Sequence, residues 1–219
     1  MANREISIKY KPITPQNTIV TFDLHDVIVN YDYWEIAKTI FKHKKKLKLF
    51  IALLNPFVWW SIIKLMYKNA VAEQYIFEIG QKHKSLEPYI PLGVAVANCQ
   101  TINPNMVQLI KKLKDKGYAL HLYSNVGTKI FTEFTKKFPG IFDHFDKIIL
   151  PSEENGYLRK PHHQSFINYL KNNQNDRRQI IFIDDKKRNI KKAAQYGIIG
   201  IQFKCYCQLV KRLKKMGIL

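Results

Sequence analysis

The chain reads as an α/β protein, a doubly wound parallel sheet that carries an inserted α-helical cap. Three observations predict this. Short apolar, β-branched runs recur along the chain and alternate with helical patterns. The stretch from Tyr31 to Ile102 is too long for a simple crossover and is itself helical in pattern. Several strand ends carry acidic or hydroxyl residues, at the sheet edge where ligands bind in such folds.

Taken in order, a polar arm, Met1 to Gln16, precedes the first strand, Thr18 to Leu24, a buried run that ends in Asp23. The segment that follows divides into helices over Tyr33 to Lys48, Phe57 to Asn69 and Ala70 to Lys82, with a break at Asn55-Pro56. Beyond it, strands fall at Ala119 to Tyr123, Lys147 to Leu150, Ile180 to Ile183 and Ile198 to Phe203. The helices between and before them are Asn105 to Lys116 closed by Gly117, Lys129 to Lys137, His162 to Lys171, and Lys187 to Tyr196 closed by Gly197. Gln208 to Met216 is a short basic amphipathic tail. This divides the chain into an α/β core (1–30 and 103–219) and a helical cap (31–102).

With 219 residues, 46% hydrophobic and 24% charged, the chain is expected to fold around a substantial core rather than stay disordered. Its 36 Lys plus Arg against 17 Asp plus Glu leave a net charge of +19. That balance favours anions as partners, whether phosphate esters, nucleic acid or an acidic membrane face, and it also suits a merely lysine-rich surface. No recognition motif with interleaved aromatics accompanies the charge, so nucleic acid is not the expected partner. Cys99, Cys205 and Cys207 make no disulfide framework and no zinc site, and the N-terminal arm has no signal-peptide core. A cytoplasmic location is therefore expected. Nothing in the pattern bears on oligomeric state.

Four short motifs carry the chemistry. Asp23 ends a buried strand in Thr21-Phe22-Asp23-Leu24-His25-Asp26, where a carboxylate is costly unless it meets a cation or caps the loop. Ser124-Asn125-Val126-Gly127 places a hydroxyl and backbone N–H groups at another strand end, either to hold a phosphoryl oxygen or as an ordinary turn. Lys160 lies in Gly156-Tyr157-Leu158-Arg159-Lys160-Pro161, ahead of a helix, and can neutralise phosphate or carboxylate charge. Asp184 and Asp185 are paired acids at a strand end, followed by Asn189, and oxygen ligands of this kind suit Mg²⁺.

These motifs, in this order, resemble the haloacid dehalogenase (HAD) superfamily over Thr18 to Phe203, in the branch whose helical cap follows the first motif. The resemblance implies that Asp23 is the nucleophile of an aspartyl-phosphate and that Ser124 and Asn125 bind the transferring group. Lys160 would stabilise it, and Asp23, Asp184, Asp185 and the backbone carbonyl of His25 would hold Mg²⁺. One position departs from the pattern: family phosphatases carry Asp two residues after the nucleophile, then Gly, and here those places hold His25 and Asp26. The usual Asp protonates the leaving oxygen and then activates water. An imidazole can do both near neutral pH, although a nearby Mg²⁺ disfavours its protonated form. Asp26 can substitute only if the turn is rearranged.

The expected function is that of a HAD-like hydrolase, a Mg²⁺-dependent phosphatase acting on a phosphorylated small molecule or lipid head group. The alternative is a catalytically weakened module that uses its cap to hold an anionic membrane or a protein partner. Leu49 to Tyr67 is almost wholly apolar and follows His43, Lys44, Lys45, Lys46 and Lys48, so it is either packed cap core or an interfacial membrane element. Pro56 and Lys64 argue against a straight spanning helix.

Overall fold

A computed structural model of the protein describes residues 12–66, 72–173 and 178–219. The N-terminal arm up to residue 11, Tyr67 and the Asn69–Ala70 junction lie outside the described residues.

Strand β1 (Thr18–Phe22) is buried along its whole length and forms the middle of a five-stranded sheet. A strand covered on both faces favours β-branched and aromatic side chains, which Thr-Ile-Val-Thr-Phe supplies, with the Thr21 hydroxyl paired to that of Tyr169 at 2.7 Å. The chain leaves β1 through a short ribbon strand, β2 (Val29–Tyr31). It then runs through helices α1 (Tyr33–Lys42), α2 (Lys46–Leu53), α3 (Pro56–Met66), α4 (Ala72–Lys82) and α5 (Ile90–Ala97). It returns through β3 (Gln100–Ile102), which pairs antiparallel with β2 so that Tyr31 faces Gln100. The remainder alternates as expected: α6 (Pro104–Asp115), β4 (Ala119–Tyr123), α7 (Thr128–Lys137), β5 (Lys147–Ile149), α8 (His163–Lys171), β6 (Gln179–Asp184), α9 (Lys187–Ala194), β7 (Ile199–Gln202) and α10 (Tyr206–Lys215).

The sheet order is β5-β4-β1-β6-β7, and every pairing is parallel. Side chains alternate between its faces, as the two-residue period of a strand requires. Val20, Phe22, Leu120, Leu122, Ile181 and Ile183 share one apolar cluster with residues of α6, α7 and α10. Ile19, Tyr123, Ile180 and Phe182 belong to the other, with Phe166 and Tyr169 of α8 and Ala193 of α9. Gly200 of β7 lets α9 lie close, because a Cβ there would stand 2.6 Å from Ile190 Cγ2.

From β1 the chain winds outward to β4 and β5, then crosses back to β6 and β7 on the other side. The reversal leaves a crevice beyond the carboxyl ends of β1 and β6, where such folds bind ligands. Phe22 is paired with Ile183, so the residues that follow, Asp23 and Asp184, stand side by side at that crevice.

The helical stretch between β2 and β3 has its own small core, built on Val58, Leu86, Tyr89 and Leu92. Beside that core lies an apolar cavity of about 210 Å³, walled by Leu49, Leu53, Ile62, Ile79 and Val96 among others. Its first helix is shorter than the sequence pattern suggests. The expected span of Tyr33 to Lys48 breaks at His43, whose backbone is extended, and restarts at Lys46. Lys42 with Lys46 and Lys44 with Lys48 would each stack like charges one turn apart in a continuous helix. The break avoids that repulsion, and the freed Lys45 carbonyl accepts the Tyr89 hydroxyl at 3.0 Å. Helix α5 has no counterpart in the sequence reading, since Pro91, Gly93 and two valines obscure its pattern. Pro91 sits at its first turn, where no amide proton is required.

Candidate active site

The site is built on four loops that leave the sheet at its carboxyl edge. Asp23 follows β1 directly, and its N–H donates to Ile183 O at 2.8 Å, which locks it to the end of β6. Its Oδ1 accepts the Leu24 N–H at 2.8 Å and the Lys160 ammonium at 3.0 Å. Oδ2 makes no hydrogen bond among the described residues. Burial drives the carboxyl from its ordinary 3.8 up to about 7; the Lys160 charge opposes this and the Asp184 charge adds to it. Lys160 alone therefore does not offset the cost of burying this carboxylate, and a further cation would favour its ionised form.

Lys160 is the cationic centre. Its side chain is wholly buried, and each of its three protons has an acceptor: Tyr123 O at 2.6 Å, Asp184 Oδ2 at 2.8 Å and Asp23 Oδ1 at 3.0 Å. The ammonium also lies 5.0 Å from the Tyr123 ring centre and 4.9 Å from that of Phe182. Burial alone would lower its pKa, but Asp23 and Asp184 together hold it above the usual lysine value. Asn125 fixes the backbone that carries it. The amide Oδ1 accepts Lys160 N–H at 2.8 Å, and Nδ2 donates to Lys160 O at 2.8 Å. Asn125, assigned from sequence to the substrate, therefore commits both ends of its amide to placing Lys160. Pro161 does not open the following helix, which starts at His163 with His162 as its cap.

Ser124 is buried at the end of β4, and its Oγ accepts the Val126 N–H at 3.2 Å, leaving the hydroxyl proton to donate. Two backbone N–H groups expected to be free in this loop are already engaged: Val126's here, and Ser124's with Ile149 O at 3.0 Å.

The two acids of β6 differ. Asp184 is closed to solvent and accepts from Lys160, from the Lys186 N–H at 2.8 Å and from Asn189 Nδ2 at 2.9 Å on both oxygens. Burial pushes its pKa up, yet Lys160, Asn189 and the Lys186 amide outweigh this and hold it below the ordinary value. Asp185 is the reverse. Burial raises its pKa, Lys186 opposes, and Asp184 and Asp26 add to the rise. Its Oδ1 is buried with no hydrogen-bond partner, an arrangement that costs free energy unless something else binds there. Asp23, Asp184 and Asp185 each bring a carboxylate oxygen within 4.8 Å of the others. An all-oxygen donor set with one orphaned buried oxygen fits Mg²⁺.

His25 faces a residue that no local sequence pattern singles out. Gln100 of β3, which is buried, places its amide nitrogen 3.0 Å from His25 Nε2 and donates its second proton to Ala97 O at 2.9 Å. An amide nitrogen only donates, so Nε2 is an acceptor and the ring proton sits on Nδ1. The ring is stacked on Tyr31, with centres 5.6 Å apart. Burial, aided by Lys186 and Lys160, lowers its pKa to about 4. The imidazole is therefore neutral at neutral pH and is not the ready acid that a phosphatase pattern asks of this position. Asp26 is exposed, with φ of 59°, and its N–H is tied to Val29 O at 2.7 Å. Arg159, beside Lys160, packs its guanidinium over the Tyr75 ring of α4 at 5.3 Å and so connects this loop to the inserted helices.

Residues 20–202 match the family model for haloacid dehalogenase-like hydrolases. The chain is similar to the sesquiterpene phosphatase astK of Aspergillus oryzae, with 27% identity over 103 residues. The match covers 47% of this chain and 51% of that protein, so the chain spans about half the length of the curated relative it matches. Among solved structures, a HAD family enzyme of Bacteroides thetaiotaomicron, in complex with magnesium and inorganic phosphate, is 21% identical, with a TM-score of 0.63 over 88% of this chain and 98% of that one. The L-2-haloacid dehalogenase of Xanthobacter autotrophicus is 15% identical, with a TM-score of 0.60 over 94% of this chain and 85% of that one. Both likenesses show the fold.

Removing one partner of a buried ion cluster leaves the others uncompensated. Lys160→Met is therefore expected to cost about 3–5 kcal/mol in urea unfolding at neutral pH. A cost under about 1 kcal/mol, the range of exposed pairs, would mean that the ammonium does not hold the two carboxylates.

Proposed function

This chain belongs to the haloacid dehalogenase-like hydrolase family, and we propose that it is a Mg²⁺-dependent phosphatase that forms an aspartyl-phosphate on Asp23. The observation that carries this reading is the state of the Asp23 carboxylate. One oxygen is fixed by Lys160 and the Leu24 amide while the other carries no hydrogen bond among the described residues, at the sheet's ligand-binding crevice and near Asp185, one oxygen of which is unpartnered. A nucleophile needs that combination of fixed direction and a free lone pair.

Asp23, Asp185 and the His25 carbonyl would hold the metal, with Asp184 contributing only as far as its four existing hydrogen bonds allow. Bound there, Mg²⁺ would offset carboxylate charge and polarise the phosphoryl oxygens. The chain's own groups do the rest. Asp23 Oδ2 attacks phosphorus as the ester P–O bond breaks and the alcohol oxygen leaves; the Ser124 hydroxyl donates to an equatorial oxygen, and Lys160 offsets the developing charge through its field. Water then attacks the acyl-phosphate, and carboxylate and inorganic phosphate are released. The substrate is a phosphorylated small molecule, and a lipid head group is the specific case that the relation to a sesquiterpene phosphatase favours.

Proton handling falls to His25. Its Nε2 lone pair accepts the Gln100 amide proton and its Nδ1 already carries the ring proton, so the neutral ring takes a proton from water only once Gln100 releases Nε2, and it carries no spare one for the leaving oxygen. We therefore assign it to the hydrolytic half of the reaction. A phenolate leaves without help, whereas an alkoxide requires protonation.

Two measurements test this. Hydrolysis of p-nitrophenyl phosphate should require Mg²⁺, stop on chelation and fall by about a thousandfold or more in Asp23→Asn. Activity that survives the substitution rules out Asp23 as the nucleophile. Restoring a carboxyl with His25→Asp should raise turnover of an alkyl phosphate by about tenfold or more, and that of the aryl ester by less. A loss of turnover on both would instead identify the imidazole as the working proton donor.

A further inference from the structure

The outer surface of the α2–α3 pair is apolar where a helix on a soluble protein is ordinarily polar. Along α2 and its end, Leu47, Phe50, Ile51 and Leu54 recur at the spacing of one helical face, and all four are exposed, Leu47 at 71% and Leu54 at 79%. On α3, Phe57 at 74% and Trp60 at 66% are exposed with Trp59 and Ile63. The opposite side of the same helices, through Leu49, Leu53, Val58 and Ile62, packs into the insert's own core. The sequence left two readings open, packed core or interfacial element, and the two sides of these helices divide them. Burying the inner face does not require an outer one, and contiguous exposed patches of this kind mark interaction surfaces.

Charge selects the occupant. Between Glu35 and Glu73 there are eight lysines and no aspartate or glutamate. Lys42, Lys44, Lys45, Lys46 and Lys48 are exposed at the start of the apolar stretch. A second copy would bring the same lysine cluster against itself on a chain of net charge +19, so self-association is opposed. The partner must be apolar inside and anionic outside, which describes an anionic bilayer. Indole rings beside lysines suit the boundary between head groups and acyl chains. Among the described residues no single helix is long and apolar enough to cross a membrane, and the α2–α3 pair is bent by 76°. That bend presents the two apolar faces as a shallow wedge rather than a span.

We propose that the α2–α3 surface docks this protein on anionic lipid bilayers, with Leu54, Phe57 and Trp60 entering the acyl boundary and the Lys42–Lys48 cluster on the head groups. This goes beyond the phosphatase reading and does not rest on it.

The test is co-sedimentation of the full chain, without substrate, with phosphatidylcholine vesicles that do or do not contain phosphatidylglycerol. The wild type should pellet with the anionic vesicles and remain largely in solution with the neutral ones. Leu54→Ser/Phe57→Ser/Trp60→Ser should weaken the anionic binding by roughly tenfold or more, as should Lys44→Glu/Lys45→Glu/Lys48→Glu. Both variants change exposed side chains and should keep the wild-type circular dichroism spectrum and aryl-phosphatase rate, which separates failure of docking from failure of catalysis. Absence of wild-type binding, equal binding to neutral vesicles, or undiminished binding by the apolar variant would overturn the proposal. So would a concentration-dependent dimer abolished by the apolar variant without vesicle binding, which would assign the face to a second copy.

Discussion

A single ammonium group, Lys160 Nζ, sits closed to solvent between two carboxylates, and the rest of the site is arranged to keep it there. Removing a charge from water costs several kcal/mol, so such a group persists only where its partners are placed beforehand. The sheet does the placing. Adjacent parallel strands bring Asp23 and Asp184 to the same edge, Tyr123 of β4 offers a carbonyl, and the Asn125 amide grips the lysine's own backbone. Every proton of the ammonium is used, so it is fixed in direction as well as position. Electrostatic preorganisation of this sort is what a phosphoryl-transfer site requires, because the transition state offers little covalent chemistry for side chains to assist.

The same constraint divides the acidic residues. Asp184 is closed to solvent and accepts from Lys160, Asn189 and the Lys186 amide, contacts that tie the lysine and the start of α9 to the strand end. Asp185, one residue on, has a buried oxygen without a hydrogen-bond partner among the described residues. Asp23 is shared between the two environments. Its raised pKa comes first from burial, which the Lys160 charge opposes without cancelling, and the orphaned Asp185 oxygen is likewise a buried group without a partner among the described residues. The inserted helices contribute from above. Through β3 they bring Gln100 to His25, and through Tyr75 they meet Arg159, so their position bears on two loops of the candidate site.

Much of this was legible in the amino-acid sequence, because it rests on local pattern. Asp23, Ser124 and the Asp184-Asp185 pair each close an apolar run, and a strand end locates its side chain at the binding edge without further information. The strand and helix order gave the sheet, and Pro56 located the break before α3. What could not be read depends on contacts between distant segments. Gln100 meets His25 across 75 positions, and no local pattern distinguishes it from other glutamines. The Asn125 clamp on Lys160 spans 35 positions, a contact that no local pattern reports. The β2–β3 ribbon was missed because each strand has only three residues, too few for a period to appear. The division at His43 arises from repulsion among lysines, which a hydrophobic pattern does not report.

Transfer of the phosphoryl group to Asp23 is tested most directly by rapid acid quench with a radiolabelled phosphate ester. The prediction is label retained on the denatured protein, released by hydroxylamine, and located in the peptide that contains Asp23. Turnover without retained label, or label on any other residue, would contradict it.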